Sequence, residues 1–213
     1  MSGTTPLSAG PFSGWLREMQ LALEIGCGTD VPCGDCVACC SSSYFIHLGP
    51  DDQAAKRRIP KELQFRAPGL PKGHAVMGYD EHGRCPMLVD GKCSVYEDRP
   101  RTCRVYDCRV FAAAGIADAG EGKEAITRQA VRWRFEFPTP ADIRLQAAVK
   151  HAADFLRDHA DLFPDGFVPP NPTQRAVLAV KVHEAFLEYV DDAGRAKLPA
   201  PKQMAQAIID SLE

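Results

Sequence analysis

The sequence predicts an α+β protein: an irregular, cysteine-rich half with a small β-meander, packed against a mainly helical C-terminal half. Three observations predict it. All nine cysteines lie at or before residue 108 of a 213-residue chain. Short apolar stretches between residues 75 and 96 are broken by turn residues, the pattern of a small meander. Beyond residue 139, apolar residues recur at helical spacing in three segments. A hydrophobic share of 45% lets a chain of this length bury a substantial core.

In order along the chain, MSGTTPLSAGPFSG at 1–14 has neither a basic start nor an apolar core, so it is no secretory signal and reads as a disordered lead-in. A cysteine-cluster region, 15–112, and a mainly helical region, 113–213, follow as one compact unit. Residues 15–25 place Leu16, Met19 and Leu23 at helical spacing, and Gly26 stands where a C-terminal glycine cap belongs. YFIHL at 44–48 is a strand or buried turn, a helix begins at Asp51, and the proline-bearing stretch 60–74 is irregular loop. HAVMGYD, RCPMLV and KCSVY then form a three-stranded meander over 75–96, the last two strands joined by the hairpin pair Asp90-Gly91.

Asp98 caps a helix that opens at Arg99-Pro100, carries Cys103 and ends near Cys108. AAAGIADAGEGKE at 112–124 is a small-residue linker. VRWRFEF at 131–137 alternates with period two, setting Val131, Trp133, Phe135 and Phe137 on one face of a half-buried strand. Thr139 caps a helix from Pro140 to about His159. Pro164 to Pro172 is a rigid loop. A second helix, 173–190, sets Leu178, Val182, Ala185, Phe186 and Tyr189 on its apolar line. A third, 201–212, buries Met204, Ala207, Ile208 and Leu212.

The formal net charge of −3 offers nothing to attract nucleic acid or an anionic membrane. No apolar run approaches the roughly 20 residues of a membrane span. The expected location is the cytoplasm, where nine cysteines do not form a disulfide framework. Eight of them fall in two blocks: Cys33, Cys36, Cys39 and Cys40, then Cys85, Cys93, Cys103 and Cys108. Two residues between thiols let a tight turn aim both at one centre, and a zinc ion needs sulfurs converging at about 2.3 Å. Three such cysteines in series also open the bacterial ferredoxin run, whose last cysteine precedes proline, as Cys85 precedes Pro86. The eight are the candidate metal ligands, for zinc or a [4Fe–4S] cluster, in one site or two. Cys40 is the least certain to share an ion with its neighbour Cys39, and Cys27 is a bystander.

CGDCVACC at 33–40, followed by CPMLVDGKCSVYEDRPRTCR at 85–104, resembles the CxxCxxCC family, the YkgJ-type cysteine-cluster proteins, a zinc- or iron-chelating domain. The resemblance spans 33–108 and matches the eight cysteines, leaving Cys27 outside. It implies metal binding without a set reaction. A related domain in flagellin lysine N-methylases makes an iron–sulfur-dependent protein-modifying enzyme one alternative, and iron or zinc storage or delivery another.

A competing reading takes LEIGCGT at 23–29 as the glycine loop of an S-adenosylmethionine-dependent methyltransferase, with Asp51 or Asp52 as the ribose-binding carboxylate. It requires Leu23 to Ile25 to end a strand. Arg99 and Arg104 are expected to tie loops to Glu97, Asp98 or a helix terminus. Tyr96 reads as a buried tyrosine. His47, His74 and His82 lie near the cysteine blocks and are candidate ligands or turn residues.

Overall fold

The computed structural model describes residues 5–29 and 31–212. The elements run β1 (Leu7–Pro11), α1 (Phe12–Ile25), β2 (Ile46–Leu48), α2 (Gln53–Arg58), β3 (Gln64–Phe65), β4 (Ala75–Met77), β5 (Leu88–Val89), β6 (Lys92–Cys93), α3 (Arg101–Arg104), α4 (Arg109–Ala114), α5 (Glu124–Ala130), β7 (Trp133–Glu136), α6 (Pro140–Asp158), α7 (Pro172–Val182) and α8 (Pro201–Asp210). Helices and small sheets together make the chain α+β. It divides into two compact units, Met1–Gln20 with Cys108–Gly120 and Ala130–Glu213, and Leu21–Asp107 with Glu121–Gln129. The units interleave, where the sequence suggests a single boundary at 112.

In the first unit, β1 pairs with β7 in parallel, Leu7 opposite Trp133 and Pro11 opposite Glu136, with a bulge between Ser8 and Gly10. Residues 7–14 are therefore strand and helix rather than disordered lead-in; residues 1–4 lie outside the described residues. LSAGP carries no alternation of its own, and its strand exists because the β7 edge accepts it. Phe135 packs on Phe12 and Trp15, ring centroids 5.0 Å away in both cases. The period-two face survives only in the strand's centre: Trp133 is buried, while Val131 and Phe137 lie beyond its ends and are exposed.

The linker expected at 112–124 is irregular from Gly115 to Lys123, but its first three residues belong to α4 and its last opens α5. α4 buries Val110, Phe111, Ala113 and Ala114, and packs on α6 and α7. Its alanines allow close approach, and Gly115, at φ 68°, ends it while Ile116 N–H bonds back to the Phe111 carbonyl at 2.9 Å. α6 starts at Thr139 as expected, with a full capping box. Asn171 caps α7 by accepting from the amides of Thr173 and Gln174. The helix expected over 173–190 tightens after Val182 into a 3-10 segment, His183–Tyr189. α8 buries Met204 and Ile208, but stops at Asp210, so Leu212 is exposed.

Asp142 joins two helix starts. It is 1% exposed, and its carboxylate accepts from the Thr139 hydroxyl at 2.6 Å and from the Ser13 amide in the first turn of α1 at 2.9 Å. The Thr139 hydroxyl first, then Ser13, hold its pKa down to about 2, from an ordinary 3.8. A depressed carboxylate stabilises the fold fully above the unfolded value, and loses that contribution as pH falls toward about 2. We expect Asp142→Asn to cost about 2 kcal/mol near neutrality. Chemical unfolding of both proteins between about pH 7 and pH 2 checks it: the stability gap closes on acidification. A gap that stays constant excludes this role.

The second unit holds two small sheets. β4 lies between β2 and β3, antiparallel to both, with Met77 opposite Ile46 and Gln64. β5 and β6 form the hairpin that Asp90-Gly91 announces, with both turn residues at positive φ (49° and 72°). The expected three-stranded meander over 75–96 is thus replaced: β4 pairs backward in sequence, not with β5. Between them Asp80 closes a tight loop, its carboxylate accepting from the His82 and Arg84 amides. Leu48, Ala55, Ile59, Met77, Met87 and Val95 make this unit's core, with Cys85 and Cys93 packed against it. Among the described residues no helix is long and apolar enough to cross a membrane.

Candidate metal centre

The cysteines of the second unit ride on short elements. Cys33 to Cys36 is a turn, closed by the Cys36 amide on the Cys33 carbonyl at 3.0 Å. Cys39 and Cys40 ride a 3-10 turn over Ala38–Ser41, fastened by the Ser41 and Ser42 hydroxyls to the Val37 and Ala38 carbonyls. The Cys85 amide then donates to the Cys40 carbonyl at 2.7 Å, joining the second cysteine block to the first. Cys85 accepts from the Leu88 amide, and Leu88 pairs with Cys93 across the hairpin. Cys103 comes from α3.

The fold holds α3 from two sides. Asp52, 5% exposed, accepts from the Gly49 amide at 2.8 Å and from the Arg101 amide at 2.7 Å, and its carboxylate lies 3.9 Å from the Arg104 guanidinium. The Thr102 hydroxyl donates to the His47 carbonyl at 3.0 Å. Opposite, Arg101 donates to the Leu23 carbonyl and the Thr29 amide to the Arg104 carbonyl. Gly26 and Gly28 make that approach possible. Both have positive φ, 70° and 91°, and a Cβ on Gly28 would stand 3.2 Å from the Arg104 backbone oxygen.

This arrangement overturns the cofactor-loop reading of LEIGCGT. Leu23 to Ile25 are helix, and the Gly26 amide caps it on the Ala22 carbonyl at 2.9 Å. The Asp52 carboxylate is committed to two backbone amides. Arg104 pairs with Asp52 and with the Arg99 carbonyl, not with Glu97 or Asp98. Tyr96 is exposed rather than buried, with the Arg99 guanidinium 3.6 Å above its ring. The sequence offered Asp52 as part of a helix start or as a ribose-binding carboxylate and gave no signal of this role, because its partners are backbone groups brought in by the fold.

The thiols also perturb one another's ionisation. Cys39 and Cys40 sulfurs are 4.0 Å apart. Accepting from Cys40 brings the Cys39 thiol down to about 7, while giving that bond pushes Cys40 up. Burial pushes Cys103 up to about 12, and the charges of Cys85, Cys39 and Cys93 add to it. Cys85 is raised by burial, with Cys93 and Cys39 contributing. The Arg99 charge works the other way on Cys39 and Cys103. Among the described residues, no three cysteine, histidine or acidic side chains already converge in ligand geometry. Cys33 and Cys36 are partly buried, and Cys27 is exposed. Cys108 belongs to the first unit, where it is buried and accepts the Trp133 indole N–H at 3.2 Å.

The return segment 121–129 belongs to this unit through Lys123. Its ammonium donates to the Ser42 carbonyl, just past the first cysteine block, and stands 4.1 Å from the Tyr44 ring centroid. Residues 32–129 match the CxxCxxCC family, described as a putative zinc- or iron-chelating domain. The CxxCxxCC match begins just before Cys33 and ends with this return segment. It supports binding of zinc or iron. No curated protein and no solved structure matches the chain.

Proposed function

We propose that the CxxCxxCC segment is a metal-binding module holding zinc or iron through cysteine thiolates. Cys33, Cys36, Cys39, Cys40, Cys85, Cys93, Cys103 and Cys108 are the candidate thiolates, seven of them in the second unit and Cys108 in the first. The observation that carries this is the Cys85 amide on the Cys40 carbonyl, which fastens the second cysteine block to the first. Their chemistry fits the group: soft sulfur donors suit zinc and iron–sulfur clusters alike. Burial first, with the neighbouring thiols adding to it, raises the cost of ionising Cys85 and Cys103, which a cation beside them offsets. When bound, zinc would supply a structural crosslink, and a [4Fe–4S] cluster a one-electron redox centre. The chain's own part is to orient the thiols from the 3-10 turn, the hairpin and α3, and to set Arg99 nearby as partial charge compensation.

Metal, iron and acid-labile sulfide content after purification without oxygen, with a visible spectrum on the same sample, tests it. Brown protein with near-equal iron and sulfide assigns a cluster. Colourless protein carrying zinc without sulfide assigns a structural zinc centre. Protein with neither metal, and unable to take up either on reconstitution, excludes the proposal.

A further inference from the structure

We propose that His47 and His74 form a second cation site, built of imidazole nitrogen and suited to a borderline divalent ion such as zinc. His47 lies on β2 opposite Val76 of β4. His74 comes two residues before Val76, so the two histidines are diagonal neighbours on the same side of the ladder. Their rings meet, with His74 Nδ1 2.8 Å from His47 Nε2 and centroids 4.9 Å apart. Both residues are half-buried, within reach of solvent.

The backbone under each ring is fastened. The Thr102 hydroxyl holds the His47 carbonyl, the His74 amide donates to the Pro71 carbonyl at 3.2 Å, and Lys56 holds the adjacent Gly73 carbonyl at 2.7 Å. At 2.8 Å, one nitrogen carries a proton and the other offers its lone pair. An ion enters when the donor ring moves that proton, through solvent, to its other nitrogen. Both lone pairs then face the ion, with no net proton released. Zinc–nitrogen bonds of about 2.0–2.1 Å at a near-tetrahedral angle place the two nitrogens about 3.3 Å apart. The rings need to open by about half an ångström, a small side-chain rotation. Water completes the coordination, so the ion is exchangeable. Bound this way, His47 carries its proton on Nδ1 and His74 on Nε2, a mixed tautomer pair.

This site does not depend on the cysteine centre, and its test separates the two. Zinc is titrated into the full-length protein as purified, followed by equilibrium dialysis and by long-range proton–nitrogen NMR of the imidazoles. We expect one equivalent beyond the as-purified metal. His47 Nε2 and His74 Nδ1 shift, while the other four of the six histidines do not. His47→Gln and His74→Gln each lose that equivalent and keep the as-purified metal. Absence of a further equivalent, shifts on other histidines, or retention of the equivalent in both variants overturns the proposal. Protein that arrives without metal counts against the cysteine centre alone, since the imidazole signals still report this site.

Discussion

Cys85→Ser combined with Cys103→Ser abolishes metal binding and unfolds the second unit. The expected effect is large because a preformed thiolate site does not exist in the unfolded chain, so metal-binding free energy becomes folding free energy, about 10–16 kcal/mol for small structural zinc sites. That is comparable to the whole stability of an ordinary domain, about 5–15 kcal/mol. Metal per chain and the urea midpoint, measured on the double variant and on Cys27→Ser, check it. Cys27 is exposed and its thiol donates to the neighbouring Gly28 carbonyl at 3.5 Å, so its variant keeps both. The sign with pH follows from the same thiols. Cys85 and Cys103 are raised in the metal-free fold, so uptake releases their protons and affinity climbs as pH rises. A double variant with full metal and an unchanged midpoint rules the centre out.

Asp52→Ala lowers stability by about 3–5 kcal/mol and weakens metal retention with it. The carboxylate accepts from both the Gly49 and Arg101 amides, and it sits beside the Arg104 guanidinium. Removing it strands two inward-facing amides and frees the start of α3, the helix that carries Cys103. Asp52→Asn keeps the shape but turns one acceptor oxygen into a donor, and gives an intermediate loss. Thermal unfolding with and without chelator separates the contributions: the Asp52→Ala deficit persists after the metal is stripped, because the amides stay unpaired. A deficit confined to the metal-loaded protein would place Asp52 at the metal instead of at α3.

Residues whose structure depends on near neighbours were legible. Thr139 with Pro140 starts α6, Gly26 ends α1, and Asp90-Gly91 turns β5 into β6, because each needs only groups a few residues away. The cysteine spacing marked the candidate thiolates in the same way, since a two-residue gap is a local turn. Tertiary structure alone decided the rest. LSAGP becomes a strand only because Trp133–Glu136 offers an edge, and HAVM pairs backward with Ile46–Leu48 instead of forward into the hairpin. The alanines 112–114 read as the start of a linker until α6 and α7 cover them. Asp52 and Gly28 acquire their roles only when α3 is laid beside them. The sequence by itself determined the chemistry of the donors and the local turns that aim them. Which thiols share a centre is set by contacts between distant segments, where burial and non-local hydrogen bonds outweigh the weak preferences of short stretches.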